Sequence, residues 1–227
     1  MSHTSLLRLL FIGNSATYVH DIPGTLCRLA GAAGYPMETA SVVKGGYTLT
    51  QHANAETDHG RTVFETVRRG FDIVFLQDNG NCVSSPEMEE ASRQACRTLI
   101  SAVRETGAAP YIYVRPPCLK DCYGYSTLEQ CKNFDEIFGT IAKENGDVKC
   151  VYVNRAFAYA AKNYNFNLWG PDNAHTSPLG AYLIVCTFFA TLFGEPATKL
   201  SAGEVDPADA KILAEIADKV VRENIEP

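Results

Sequence analysis

The fold class is decided by one stretch near the N-terminus, Leu6-Leu7-Arg8-Leu9-Leu10-Phe11-Ile12-Gly13-Asn14-Ser15. Its short apolar run ends at a glycine, which is typical of a buried β-strand. Four later runs have the same character, at residues 37–43, 71–76, 109–114 and 148–153. Amphipathic stretches separate these runs, and strands that alternate with helices indicate a parallel sheet covered on both faces. The sequence therefore predicts a three-layer α/β/α fold, with its first strand at residues 6–12.

Helices are predicted between the strands and after the last one. The first four cover residues 22–33, 60–69, 86–106 and 127–145, and two more cover about 177–192 and 207–224. Ser177 as N-cap and Pro178 at the first helical position fix the start of the fifth of these helices. No repeat, linker or change of composition interrupts the chain, so residues 1–227 are predicted to form a single domain.

The composition excludes several classes of protein. Hydrophobic residues make up 46% and charged residues 20% of the chain, which excludes intrinsic disorder and collagen-like repeats. A net charge of −6 without blocks of like charge disfavours nucleic acid and anionic membranes as partners. The apolar run at residues 181–193 is shorter than the roughly 20 residues that span a bilayer, and the N-terminal run is too short for a secretory signal. We therefore expect a cytoplasmic protein.

The eight cysteines are expected to be free and mostly buried thiols, because a chain of this length needs no disulfide staples. Cys118, Cys122 and Cys131 lack the C-x-x-C pair and the histidine partners of a zinc site. No G-x-G-x-x-G follows the first strand, and no P-loop motif occurs. The sequence thus predicts neither a metal nor a nucleotide cofactor.

Ser15 follows the first predicted strand, at the edge where open parallel sheets bind their ligands. Gly13 permits a sharp turn that delivers this serine beside the N–H groups of a helix N-terminus, as an exposed nucleophile requires. The alternative is that Ser15 caps the next helix or contacts a phosphate.

A second motif favours catalysis. Asp172 and His175 lie three residues apart, just before the helix that Pro178 begins. A tight turn at this spacing can aim the carboxylate at one imidazole nitrogen and leave the other free. Together with Ser15, the pair supplies a nucleophile, a base and the group that orients the base.

These motifs resemble those of the SGNH hydrolases, the GDSL-like lipase and esterase superfamily. The first block of that superfamily, usually G-D-S, is similar to Gly13-Asn14-Ser15, with asparagine in place of an aspartate that lies outside the triad. The last block, D-x-x-H followed by a glycine, is similar to Asp172, His175 and Gly180. The resemblance spans roughly residues 7–183 and implies a flavodoxin-like sheet with strand order 2-1-3-4-5.

The two middle blocks match less well. Gly46 matches the glycine of the second block. The third block, G-x-N-D, falls on residues 79–82 when aligned without gaps from Asp72, and there Asn81 alone matches. The strand ends in Leu-Gln instead, similar to one branch of the superfamily. Asn81 is therefore our choice for the side-chain donor of the oxyanion hole, with Gln77 as the alternative.

The resemblance implies a serine esterase that forms an acyl-enzyme and needs no cofactor or metal. Ser15 would attack the ester carbonyl, His175 would transfer the proton and Asp172 would fix the histidine tautomer. The backbone N–H groups of Ser15 and Gly46 would bind the oxyanion. The expected partner is a small-molecule ester, with O-acetyl groups on carbohydrates as one substrate class.

Two further residues are candidates for substrate binding. His52 resembles a histidine of the same branch and would shape the acyl or alcohol pocket, or else lie solvated on a helix. Arg115, at the end of the fourth strand, would bind a substrate carboxylate or hydroxyl, or else form a surface ion pair. Two other functions stay open: a catalytically decayed module of the same fold, and a flavodoxin-like phosphate or flavin binder that uses residues 13–17.

Overall fold

The computed structural model of the protein describes residues 6–120 and 122–227. Its strands are β1 (Leu7–Gly13), β2 (Met37–Val43), β3 (Ile73–Leu76), β4 (Ala109–Val114) and β5 (Lys149–Tyr152). They form one parallel sheet in the order β2-β1-β3-β4-β5, which confirms the predicted fold class and strand order. Gly13 pairs with Val43 and Ile12 pairs with Leu76. The carboxyl ends of the three strands β2, β1 and β3 therefore lie side by side at one edge.

Nine α-helices lie in the described ranges 6–120 and 122–227: α1 (Ser15–Tyr18), α2 (Ile22–Ala32), α3 (Leu49–His52), α4 (Asp58–Val67), α5 (Pro86–Glu105), α6 (Thr127–Glu144), α7 (Val153–Asn163), α8 (Pro178–Phe193) and α9 (Pro207–Glu223). Asn81–Val83 and Ala197–Lys199 form single 3-10 turns. Ser177 caps α8 through its hydroxyl, which accepts the N–H of Gly180, and Pro178 begins the helix as predicted. One-turn helices such as α1 and α3 are too short to leave a periodic pattern in the sequence.

The two faces of the sheet pack against separate helical layers because side chains alternate along each strand. Leu9 and Phe11 point to the layer of α2, α7, α8 and α9. Leu10 and Ile12 point to the layer of α4, α5 and α6. Both faces of β1 are therefore buried from Leu9 to Gly13, and the polar residues Asn14 and Ser15 follow at its carboxyl end.

The last strand is shorter than predicted, and the helix that follows it was not predicted. Val153 begins α7 instead of ending β5. Its next two residues, Asn154 and Arg155, have the polarity of a loop but are buried in the structure. Arg155 makes a two-pronged ion pair with Asp135 of α6. Because α7 also begins without a side-chain N-cap, neither its start nor its buried face has the usual sequence pattern.

All eight cysteines are free, and Cys82, Cys96, Cys118, Cys131 and Cys186 are buried. Among residues 6–120 and 122–227, no helix combines the length and hydropathy that crossing a membrane requires. Residues 1–5 lie outside the described residues, and the expectation that the N-terminal run is not a secretory signal stays a prediction. That the whole chain forms a single domain stays a prediction.

Candidate active site

Ser15 lies at the start of α1, immediately beyond the carboxyl end of β1. The turn into this helix requires the glycine before it. A Cβ on Gly13 would lie 2.6 Å from Gln77 Oε1 and 2.7 Å from Thr17 Oγ1. A larger residue at position 13 would displace the Gln77 and Thr17 side chains that hold the nucleophile loop, which is the physical reason for the glycine at this position.

Asn14 holds the nucleophile loop in place from its interior. Its Oδ1 accepts the N–H of Ala16 at 3.0 Å, and its Nδ2 donates to the carbonyl of Tyr47 at 2.9 Å. An aspartate at this position has no hydrogen to donate to Tyr47. The asparagine therefore connects the loop after β1 to the loop after β2, which carries Gly46.

Gln77, at the carboxyl end of β3, forms hydrogen bonds with the loop that carries Ser15. Its Oε1 accepts the backbone N–H of Asn14 at 2.9 Å and the hydroxyl of Thr17 at 3.0 Å. Its Nε2 donates to the carbonyl of Asp78, and the residue is fully buried. Gln77 is fully buried and does not line the cleft that holds Ser15 and His175, so its role in the structure is to support the loop that carries Ser15. Its assignment to the oxyanion hole stays an alternative prediction.

Asp172 and His175 form the pair that their spacing predicts. Asp172 Oδ2 lies 2.5 Å from His175 Nδ1, and Oδ1 accepts the backbone N–H groups of Ala174 and His175, each at 3.0 Å. The bond from the His175 ring, reinforced by these two N–H groups, holds the pKa of the Asp172 carboxyl well below its usual range. The carboxylate thus fixes the proton of His175 on Nδ1 and leaves Nε2 able to accept another.

Hydrogen bonds and close packing hold the segment before α8, which carries Asp172 and His175, in a fixed position. Trp169 and Thr176 form an antiparallel bridge, and Trp169 Nε1 donates to the carbonyl of Pro117 at 2.8 Å. A Cβ on Gly180 would overlap the carbonyl oxygen of Leu168. This close approach is the physical reason for the glycine that follows the D-x-x-H motif.

Ser15, His175, Arg115 and Asn79 line one cleft of about 150 Å³ at the carboxyl edge of the sheet. Asp172 does not line this cleft. The structure thus brings together the serine, the histidine and the arginine that the sequence indicated. Gly46 does not line this cleft, but its carbonyl accepts the side-chain amide of Asn79 at 2.8 Å.

Asn79, and not the predicted Asn81, faces the cleft. Asn81 lies in the 3-10 turn after β3, and its Nδ2 is 3.6 Å from the sulfur of Met88. Asn79 Oδ1 instead accepts the hydroxyl of Tyr123 at 3.3 Å, while Nδ2 donates to Gly46. Counting without gaps from Asp72 therefore misses the residue that occupies the cleft.

The reason for this register is the buried carboxylate before Asn79. Asp78 Oδ1 accepts the N–H groups of Leu49 at 2.8 Å and of Asn79 at 2.7 Å, and Oδ2 accepts the hydroxyl of Ser92. With Gln77 and Asp78 both turned inward, the next residue is the first that can reach the cleft. Two consecutive polar residues directly after a buried strand are the sequence pattern from which this position could have been inferred.

His52 is buried behind the nucleophile loop and does not contact the cleft. Its Nδ1 lies 2.9 Å from Nε2 of His59, and its ring packs edge-on against Tyr47. Burial, with the nearby His59 adding to it, lowers the pKa of His52 to about 4, although the carbonyl of Gly13 opposes this change. His52 is fully buried rather than solvated and is not among the residues that line the cleft, so a role in shaping the substrate pocket stays a prediction.

Arg115 remains at the cleft but makes no surface ion pair within the described residues. Its Nη1 donates to the carbonyl of Asn79, its Nε to the carbonyl of Pro116 at 3.0 Å, and its Nη2 lies 3.7 Å from Cys118 Sγ. The guanidinium thus fastens the loop after β4 to the loop after β3. In the part of the chain that the structure describes, no group of three His, Cys, Asp or Glu side chains is placed to hold a metal ion.

The fold and the cleft define a doubly wound α/β protein with a serine, a histidine and an aspartate at the carboxyl edge of its sheet. Solved structures share this fold. A candidate SGNH hydrolase from Slackia heliotrinireducens is 25% identical over 83% of this chain and 100% of that chain, with a TM-score of 0.71. A DUF4886 family protein from Bacteroides uniformis is 16% identical over 97% of this chain and 96% of that chain, with a TM-score of 0.83.

An acetylxylan esterase from Geobacillus stearothermophilus has the same fold, at 16% identity over 86% of this chain and 98% of that chain and a TM-score of 0.64. The chain therefore resembles the SGNH hydrolases in its structure as well as in its sequence motifs. No protein-family model matches the sequence, and no curated protein is similar to it.

Proposed function

We propose that this chain is a serine hydrolase that cleaves carboxylic esters. The observation that carries the proposal is the bond of 2.5 Å between Asp172 and His175, in a segment that presents His175 to the same cleft as Ser15. The same three residue types, in this chain order, are the ones that its motifs share with the SGNH hydrolases. The names of the structural neighbours, which include an acetylxylan esterase, agree with an ester substrate.

The reaction would begin when His175 Nε2 takes the proton of the Ser15 hydroxyl as Oγ attacks the ester carbonyl. His175 would then give this proton to the oxygen of the leaving alcohol, and the acyl group would remain on Ser15. Water, deprotonated by the same nitrogen, would release the acid. Asp172, with its low pKa, would stay a carboxylate throughout and stabilise the imidazolium.

Two of the donors proposed for the oxyanion line the cleft, the backbone N–H group of Ser15 and the side-chain amide of Asn79. The backbone N–H group of Gly46, which does not line the cleft, is the third donor that the resemblance implies. The Asn79 amide is held in one orientation because Tyr123 donates to its oxygen. One Nδ2 hydrogen bonds the carbonyl of Gly46, which leaves the second for the substrate. Fixed donors of this kind stabilise charge that appears only in the transition state.

The size of the cleft favours a short acyl group. Its volume of about 150 Å³ is below the roughly 300 Å³ at which pockets enclose drug-sized ligands. An acetyl group is the natural occupant, and O-acetyl groups on carbohydrates are the substrate class that we propose. A cytoplasmic location stays a prediction from the sequence.

The test is a panel of 4-nitrophenyl esters with acyl chains of increasing length, run with wild type, Ser15→Ala and His175→Ala. Either variant should lower turnover on the order of 10³-fold or more while the circular dichroism spectrum stays unchanged, because the groups act as a unit. Ser101→Ala, on the exposed face of α5, is the matched control and should hydrolyse like wild type. Near wild-type turnover in Ser15→Ala would refute the assignment, and failure of wild type to react with a fluorophosphonate would favour the decayed module.

A further inference from the structure

Two cysteines line the cleft and take no part in the proposed mechanism. Cys118 and Cys122 both belong to the loop after β4 and share the cleft with Ser15 and His175. Cys118 is buried, with 8% of its surface exposed, and Cys122 is half-buried. Within the described residues, no other cysteine lines this cleft. A small solute that enters the cleft therefore meets both thiols.

The backbone fixes the two thiols against each other. The N–H of Cys118 donates to Gln130 Oε1 at 2.9 Å. Cys122 and Tyr125 pair through two backbone hydrogen bonds of 3.1 Å, and the residues between them have the positive φ angles of a tight hairpin turn. A side-chain hydrogen bond joins the two thiols directly. The two thiols are therefore neighbours at the wall of the cleft.

The two thiols differ in their surroundings, and this assigns them different roles. The guanidinium of Arg115 lies 3.7 Å from Cys118 Sγ, so the negative charge that develops on this sulfur as it attacks has a cation beside it. Burial and the contact with Cys118 raise the pKa of Cys122. Cys118 is thus the thiol that reacts first with an oxidant, and Cys122 is the thiol that resolves the product.

We propose that Cys118 and Cys122 form a reversible disulfide when the protein meets hydrogen peroxide, and that this bond slows turnover at the cleft. The Cys118 thiolate attacks one oxygen of the peroxide, the O–O bond breaks, and the proton lost by Cys118 converts the leaving hydroxide to water. Cys122 then attacks the sulfenic sulfur, the S–S bond forms, and the second hydroxide leaves with the Cys122 proton as water. Two thiols lose two electrons, and the peroxide gains them.

The disulfide would change the position of the proposed oxyanion donor Asn79, because residues of the loop after β4 form hydrogen bonds with Asn79. Cys118 would lose its contact with Arg115, which holds the carbonyl of Asn79. Cys122 precedes Tyr123, whose hydroxyl orients the Asn79 amide. A small displacement of an oxyanion donor costs a large factor in rate. The effect on turnover rests on the proposed function, whereas formation of the disulfide does not.

The full chain is treated with hydrogen peroxide, the remaining thiols are blocked with N-ethylmaleimide, and peptides are mapped by mass spectrometry without reduction. We expect a linked Cys118–Cys122 peptide and a loss of ester hydrolysis on the order of tenfold, both reversed by dithiothreitol. In each variant the measured quantity is the ratio of oxidised to reduced activity. Cys118→Ser should give no link and no reversible loss, whereas Cys27→Ser, a matched half-buried cysteine away from the cleft, should behave like wild type.

The mass of the linked peptide identifies which cysteines are oxidised, and this result does not depend on whether the protein hydrolyses esters. If peroxide converts Cys118 to the sulfinic acid in folded wild type and no link forms, the proposal is overturned. If the link forms while turnover stays the same, the control of the cleft is overturned. If reduced wild type hydrolyses no ester, the proposed function fails, and a dithiothreitol-sensitive link still establishes the disulfide.

Discussion

Acid should destabilise this protein through His52, a residue buried behind the nucleophile loop. The pKa of His52 is about 4, below the 6.5 of an ordinary imidazole. Between these two values the unfolded chain takes up a proton that the folded chain refuses, so the free energy of unfolding falls as the pH is lowered from 6.5 and stops falling near 4. Each pH unit of difference is worth about 1.4 kcal/mol, which gives a total on the order of 3 kcal/mol.

The measurement is urea unfolding of wild type and His52→Gln at a series of pH values from 7.5 to 4. The variant should be less stable at pH 7, because it loses the ring contacts with Tyr47 and His59. It should then lose less stability on acidification, so the two curves approach each other by about 3 kcal/mol. Val63→Ala, which removes buried methyl groups from α4 and keeps His52, is the control for destabilisation alone and should run parallel to wild type.

Two results would contradict the reasoning. If the His52→Gln curve stays parallel to that of wild type down to pH 4, His52 does not resist protonation in the folded state. The same holds if the ring protons of His52, followed by NMR, titrate near pH 6.5.

Three further predictions concern the cleft and its supports. Asn79→Ala should lower kcat by about 10²- to 10³-fold with KM little changed, because its hydrogen bond to the substrate matters mainly in the transition state. Asn81→Ala is the control and should leave kcat unchanged. Equal losses of kcat in the two variants would contradict the assignment of Asn79. Gly180→Ala should lower the free energy of unfolding in urea by about 1–3 kcal/mol, since its methyl group overlaps the Leu168 carbonyl. EDTA should leave ester hydrolysis unchanged, and a loss restored by a divalent ion would refute the serine mechanism.

The fold could be predicted because its strands are buried on both faces and each ends at a turn residue. Short apolar runs separated by helical stretches have few other solutions. The helix α7 was not predicted because its buried face includes Asn154 and Arg155, whose side chains donate hydrogen bonds to groups of α6. A residue that is buried because of a distant partner cannot be recognised from the residues beside it.

The catalytic candidates could be predicted for a different reason. Asp172 and His175 interact across a single turn, and Ser15 follows its strand directly, so local spacing carries the information. Asn79 and His52 depend on contacts between loops that are far apart in the chain. Whether an asparagine faces the cleft depends on which way Asp78 turns, and that depends on Leu49 and Ser92.

The buried amide of Gln77 has a consequence for how substrate preference can change. Because Gln77 Oε1 anchors both Asn14 and Thr17, the position of the nucleophile is set when β1 and β3 pair during folding, before any substrate arrives. The loop after β4, which carries Arg115 and Tyr123, also lines the cleft. Because Arg115 and Tyr123 both hold Asn79, mutations in this loop can change the preference for alcohol and acyl group without loss of chemistry only where they leave these two residues in place.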